Sequence, residues 1–172
     1  MHNVDVEAVN ATKDRASADG NAALMEVHLE GRWNVDSDDV QFSGEVEFPS
    51  GSVSFNADFP EFLGGQGRAP APLAYCFYGA MCCYGATFAT QAALEAVPID
   101  SMTISLSLDV NFLPALGLAD VPPMSEFKFH LAVETSASEE ELARIKQLTD
   151  ERCPAIWAMN NPVPHTVHIT KT

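Results

Sequence analysis

The chain has 172 residues, of which 47% are hydrophobic and 19% charged, as in ordinary globular proteins. Its 9 Lys and Arg residues are outnumbered by 24 Asp and Glu residues, which gives a net charge of −15. Such a surface repels phosphate backbones and anionic lipid headgroups, so the composition argues against a nucleic-acid partner. Residues 1–21 are a polar extension without the apolar stretch of an export signal, and residues 22–172 are expected to form one domain of a cytoplasmic protein.

Hydrophobic alternation between residues 22 and 59 predicts three β-strands, which begin near Leu24, Val40 and Val53. Turn-forming residues separate the strands at Asp36–Asp39 and at Pro49–Ser52, and the second turn is short enough for a tight hairpin. The first third of the chain is therefore expected to be an antiparallel meander.

A Gly/Pro-rich loop, FPEFLGGQGRAPAP, leads into an apolar segment at Leu73–Glu95. Its Ala-rich content, with Pro72 at the start, predicts a helix that is apolar on nearly every side. Such a helix is either a membrane span or a core element. Interspersed Tyr, Thr and Gln residues and the amphipathic strands on both sides favour a central helix covered by sheets, from one subunit or from two, over a membrane span.

The second half of the chain predicts strands at Met102–Val110 and Phe127–Val133, with a Pro-containing loop between them. A Ser138–Glu141 capping box opens the next helix. Cys153-Pro154 begins a short helix, and Val163–Ile169 is expected to be a closing strand. The predicted order is β-β-β-α-β-β-α-α-β, an α+β fold.

Four cysteines carry the candidate chemistry. Cys153 is predicted at a helix N-terminus, where backbone N–H groups favour the thiolate, although a buried cysteine at a turn fits the pattern equally well. Cys76, Cys82 and Cys83 lie within one apolar helix, where packing is the ordinary role of a cysteine. Zinc bound by Cys82, Cys83, Cys153 and a histidine is not favoured because the chain lacks a C-x-x-C spacing. His165 and His168 fall on opposite faces of their predicted strand and cannot chelate together.

The run FLGGQGRAPAPLAYCFYGAMCCYGAT resembles the signature of the OsmC/Ohr family, in which a Gly/Pro loop leads into an apolar helix with the reactive cysteine. Cys83 falls at that position. RCPAIWAMNNPV resembles the family's second, Cys-Pro segment and places Cys153 at the resolving position. The resemblance implies antiparallel sheets wrapped around a long central helix in an interlocked homodimer.

The resemblance also implies a thiol peroxidase that needs no metal or organic cofactor. In such an enzyme Cys83 as thiolate reduces an organic hydroperoxide, a Cys83–Cys153 disulfide forms, and a dithiol reductant opens it again.

The sequence departs from the family pattern at the residues that assist the thiolate. Leu73 and Ala74 stand where family members carry a glutamate, and no arginine follows the third predicted strand. Arg32 and Arg68 are the nearby basic candidates, and Glu61 is the acidic one.

Two other functions are therefore retained. One is a non-enzymatic member of the fold that senses oxidants or binds an apolar ligand in a cavity lined by Tyr75, Tyr78, Phe88 and Trp157. The other is a structural dimer whose cysteines only pack.

Overall fold

The structure is a computed structural model that describes residues 1–36 and 38–171. Four α-helices and five β-strands follow one another in an α+β arrangement, with short 3₁₀ turns at Gly20–Ala23 and Glu61–Leu63. Their bounds are α1 Val6–Ala18, β1 Glu30–Trp33, β2 Phe42–Phe48, β3 Gly51–Ala57, α2 Pro72–Leu94, β4 Ser101–Ser107, β5 Lys128–Glu134, α3 Glu139–Arg152 and α4 Pro154–Asn160. Helix α1 lies in the polar N-terminal extension, for which no element was predicted.

The chain divides into two compact units. The N-terminal unit comprises residues 7–79, and the C-terminal unit comprises residues 1–6 together with the chain from residue 80 onward. Helix α2 contributes its first two turns to the N-terminal unit and the remainder to the C-terminal unit. Each cysteine-bearing segment can therefore be assigned to one unit, with Cys76 in the first and the other three cysteines in the second.

The N-terminal unit contains the predicted antiparallel meander, in the order β1-β2-β3. Strands β2 and β3 pair along their full length, with Phe48 opposite Gly51, so the predicted hairpin is confirmed. The first strand, expected to begin near Leu24, begins only at Glu30. Residues 24–29 are unpaired and their apolar side chains are exposed. Alternation sets which side chains share a face, but a strand also needs a neighbour for its backbone N–H and C=O groups.

Buried Asp58 organises the glycine-rich loop that follows β3. One of its carboxylate oxygens accepts the backbone N–H groups of Gln66 and Arg68 at 3.3 and 3.0 Å. Gly65 passes so close to the Phe59 carbonyl that a side chain there would collide with it. The loop is thus held by backbone contacts to one carboxylate, which explains why a Gly-rich sequence has a defined shape here.

Replacing Asp58 with alanine is expected to lower the free energy of unfolding by about 2–3 kcal/mol, because two N–H groups lose a charged acceptor. Thermal melting at fixed protein concentration measures this loss. Asp120→Ala is the matched control, since Asp120 is exposed in a loop and its loss should cost no more than about 0.5 kcal/mol. Equal melting temperatures for the two variants would contradict the role given to Asp58.

The C-terminal unit contains the antiparallel strand pair β4–β5. The pairing runs from Ser101 opposite Glu134 to Ser107 opposite Lys128. Its core contains Phe88, Ala92, Val97 and Ile145. Helix α2 lies close to β4 at Gly85, where any side chain would meet Ile104. The core residues of α2 thus face the β4–β5 sheet.

The predicted capping box at the start of α3 is present. The Ser138 hydroxyl accepts the Glu141 N–H, while the Glu141 carboxylate accepts from the Ser138 backbone. These hydrogen bonds from Ser138 lower the pKa of the Glu141 carboxyl. The short helix after Cys153 is also confirmed, with Pro154 in its first turn.

One prediction about an apolar segment is wrong. Residues 163–169, expected to be a closing strand with His165 and His168, have no strand structure, and Ile169 is 93% exposed. The buried residues of helix α2 begin at Ala80, and the burial of this helix by the sheets of two subunits stays a prediction. Within the described residues, no helix is long and apolar enough to cross a membrane.

Candidate functional site

Cys83 and Cys153 meet inside the C-terminal unit. Their sulfur atoms are 3.7 Å apart, within the range of an S–H···S hydrogen bond. Cys83 lies in the middle of α2 and is partly exposed, whereas Cys153 is buried, with 1% of its surface accessible. The two thiols are separated by 70 positions in the chain, and folding brings them close enough for a disulfide to form after a small movement.

Cys153 connects two helices. Its backbone N–H donates to the Thr149 carbonyl at 2.9 Å and ends α3, and the same residue is the N-cap of α4. The predicted position at a helix start is therefore confirmed. Its side chain, however, makes no capping hydrogen bond. The backbone N–H of Ala155, in the first turn of α4, is directed at the Cys83 sulfur instead.

The surroundings of Cys83 raise the pKa of its thiol above the usual value, mainly because burial disfavours the charged thiolate. The hydrogen bond from the Ala155 N–H lowers the pKa, but the neighbouring Cys153 and Cys82 groups raise it further. The net direction is upward. At neutral pH Cys83 is thus largely a thiol, and only a small fraction is the reactive thiolate.

The other two cysteines are exposed. Cys82 is adjacent to Cys83 on α2 but points to a different side of the helix, and Cys76 lies in the N-terminal unit. Among residues 1–36 and 38–171, no group of three His, Cys, Asp or Glu side chains is arranged to hold a metal ion.

The three supporting residues suggested by the sequence all lie in the N-terminal unit. Arg32 is exposed in β1, opposite Ser43 of β2. Arg68 lies within the Gly/Pro-rich loop, and its guanidinium donates to the Asp39 carbonyl at 3.4 Å. Glu61 is the first residue of a 3₁₀ turn and is exposed. Their part in thiol chemistry stays a prediction.

Sequence reasoning missed a set of polar side chains around the thiol pair. The buried Tyr84 hydroxyl donates to Asp150 at 2.8 Å, and Lys146 contacts the other oxygen of Asp150 at 2.6 Å. Arg152, which directly precedes Cys153, donates to the buried Gln91 at 2.6 Å. A signal was present in the sequence, because Tyr84 and Gln91 lie seven residues apart and share one face of an otherwise apolar helix.

A cavity of about 500 Å³ lies in the same unit. It is bounded by α2, β5, α3 and α4. Its apolar lining includes Phe88, Phe129, Leu131 and Leu142, and its polar lining residues are Tyr84, His130, Lys146 and Asp150. Neither cysteine lines it. Of the four residues suggested for an apolar cavity, Phe88 borders this one, whereas Trp157 is exposed and Tyr75 and Tyr78 belong to the N-terminal unit.

A family sequence model matches the part of the chain that carries both cysteines. The model described as OsmC-like protein matches residues 65–168, which is more than half of the chain and includes both Cys83 and Cys153. The chain belongs to the OsmC-like family. No curated protein matches the sequence of this OsmC-like protein.

Solved structures share its fold. An OsmC-like protein from Mycoplasma pneumoniae is 19% identical with a TM-score of 0.60, over 80% of this chain and 89% of that one. A putative osmotic stress induced and detoxification response protein from Psychrobacter arcticus is 14% identical, with a TM-score of 0.59 and coverage of 79% and 90%. An organic hydroperoxide resistance protein from Elizabethkingia anophelis is 14% identical, with a TM-score of 0.57 and coverage of 80% and 91%. At such identities the likeness establishes the OsmC fold.

Proposed function

We propose that this OsmC-like protein is a thiol-dependent peroxidase that reduces organic hydroperoxides through Cys83 and Cys153. The observation that carries the proposal is the 3.7 Å separation of the two sulfur atoms. A pair at this distance can form a disulfide after a small movement of the sulfur atoms.

The difference in exposure supports the roles given to the two cysteines. Cys83 is partly accessible and can meet a peroxide, whereas Cys153 is enclosed but lies next to Cys83. In the first step the Cys83 thiolate attacks one oxygen of the O–O bond. The bond breaks, the alkoxide takes up a proton and leaves as an alcohol, and Cys83 becomes a sulfenic acid.

In the second step the Cys153 sulfur attacks the Cys83 sulfur. The S–O bond breaks, the departing hydroxide takes up a proton to give water, and the disulfide is formed. A dithiol reductant then exchanges with the disulfide and restores both thiols. We assign the protein to the cytoplasm on this cycle, since a reducing compartment supplies such dithiols. Arg32, Arg68 and Glu61 stay candidates for groups that assist the thiolate.

The proposal includes a homodimer. Several large apolar side chains of the β1–β2–β3 sheet are exposed, including Trp33, Phe48 and Phe55. A second copy that covers this face would remove them from water. Sedimentation of the reduced protein measures its association state, and a monomer at micromolar concentration would oppose this part of the proposal.

A second function is favoured by a specific observation. The apolar cavity of about 500 Å³ is separate from both sulfur atoms, and burial raises the pKa of Cys83. Both features suit an OsmC-like protein that holds an apolar ligand and reacts slowly with peroxides.

Treatment of the reduced protein with one equivalent of cumene hydroperoxide separates the two functions. We expect one Cys83–Cys153 disulfide, mapped by peptide mass spectrometry. Cys83→Ser should abolish both peroxide consumption and the disulfide. Cys153→Ser should still consume peroxide but leave a sulfenic acid that dimedone traps.

Cys82→Ser is the matched control, because it removes the adjacent exposed thiol and should leave the disulfide intact. Slow oxidation spread over all four cysteines would refute the peroxidase and leave the ligand-binding function.

A further inference from the structure

Two hydrogen bonds join α2 to the last turn of α3, which leads directly into Cys153. One runs from Tyr84 to Asp150, and the other from Arg152 to Gln91. We propose that these two bonds position Cys153 for attack on an oxidised Cys83 and thereby set the rate of disulfide closure. This inference rests on the proposed function, because it concerns the second step of that cycle.

The two bonds are placed close to both cysteines along the chain. Tyr84 directly follows Cys83, and Arg152 directly precedes Cys153. Asp150 lies one turn before Cys153 on α3, and Gln91 lies two turns after Cys83 on α2. Any shift of the last turn of α3 along α2 must therefore lengthen at least one of these bonds.

The burial and charge of the residues that form these two hydrogen bonds favour both bonds. Tyr84 and Gln91 are both buried in α2. Burial, together with the nearby Asp150, raises the pKa of the Tyr84 hydroxyl, which keeps it protonated as a donor. Lys146 balances the charge of Asp150 from within α3. In the second bond a guanidinium donates to an amide oxygen, a charge-assisted contact at 2.6 Å.

Cys153 moves with the last turn of α3, because its backbone N–H is bonded to Thr149 in that turn. During closure Cys153 forms an S–S bond to Cys83 while the Cys83 S–O bond breaks and water leaves. The sulfur separation must fall from 3.7 Å to about 2.05 Å along the line of the departing oxygen. A misplacement of about 1 Å is enough to slow such a step by up to about 100-fold.

The test compares Gln91→Leu and Tyr84→Phe, singly and combined, in a single turnover with cumene hydroperoxide. Peroxide loss reports the first step, and rapid alkylation followed by mass spectrometry reports disulfide closure. We expect peroxide loss within about twofold of the unmodified protein, but closure about tenfold slower in each single variant and slower still in the double variant. Dimedone should trap more sulfenic acid in all three.

Two further variants separate positioning from general damage. Gln91→Glu keeps an acceptor for Arg152 and should restore closure to within about threefold. Gln147→Leu removes a glutamine that bonds Glu151 within α3 and does not reach α2, so its closure should be unchanged. Closure at the unmodified rate in the double variant, or an equal fall in both steps, would overturn the proposal.

A second oxidant distinguishes failure of this inference from failure of the peroxidase. Attack of the Cys83 thiolate on glutathione disulfide forms a mixed disulfide and releases a first glutathione, and closure by Cys153 then releases the second. If the unmodified protein does not react with the hydroperoxide, the proposed function fails. Release of the second glutathione reports closure. A slower release in Gln91→Leu than in Gln147→Leu would still support the positioning role, and equal rates would refute it.

Discussion

Oxidation of Cys83 is expected to accelerate about 100-fold between pH 6 and pH 8. The pKa of its thiol lies above the usual range, mainly through burial, so both pH values fall below the pKa. Below its pKa the thiolate fraction of a group rises tenfold per pH unit, and the thiolate is the nucleophile. The rate should still be rising at pH 9. Cumene hydroperoxide carries no group that titrates in this range, so the pH dependence belongs to the protein.

The measurement follows the appearance of oxidised Cys83 peptide at each pH after rapid quenching. Iodoacetamide alkylation of the same peptide is a second readout that does not depend on peroxide chemistry, and it should have the same slope. Cys83→Ser supplies the background from the other cysteines. A rate that is flat from pH 6 to pH 8 would contradict the raised pKa, because it would require a thiolate that is already formed at pH 6.

The raised pKa of Cys83 agrees with a departure from the family pattern in the sequence. The OsmC/Ohr resemblance leads one to expect an acid and an arginine that lower the pKa of the reactive thiol, but Leu73 and Ala74 occupy the acid's position. Within the C-terminal unit, the Ala155 N–H is the group that lowers the pKa of Cys83, and it is outweighed by burial. A single peptide N–H carries only a partial charge, so it cannot replace a guanidinium beside the sulfur.

Features that depend on nearby residues could be predicted from the sequence. Four such features were predicted within a few residues of their observed bounds. They are helix α2, the Pro49–Ser50 hairpin, the capping box at Ser138 and the helix start at Pro154. Each is determined by contacts between residues close in the chain. For these elements the sequence carries sufficient information.

Features that depend on distant partners could not be predicted in this way. Residues 24–29 and 163–169 alternate like strands, yet neither is paired in the described structure. The Tyr84–Asp150 bond joins residues 66 positions apart, so the pattern that places Tyr84 and Gln91 on one face of α2 does not identify Asp150 as the partner. The pairing of Cys83 with Cys153 was expected only from the resemblance to a family, since periodicity did not distinguish Cys83 from Cys76 or Cys82.

Replacing Ile145 with alanine is expected to lower the free energy of unfolding by about 3–4 kcal/mol, the largest stability loss predicted for a single side chain here. Ile145 has no accessible surface and packs in the core with Phe88, Ala92 and Val97, so its removal leaves a cavity that these neighbours cannot fill. Thermal or urea unfolding at constant protein concentration measures the loss, with a fall in Tm of about 10 °C.

Ile169→Ala makes the same chemical change at a side chain that is 93% exposed, and it should cost no more than about 0.5 kcal/mol. Equal losses at both positions would mean that the C-terminal segment is covered in solution, against the exposure in the structure. A negligible loss at Ile145 would mean that α3 does not form the core of its unit, and the positions of Asp150, Arg152 and Cys153 on or beside that helix would then lose their support.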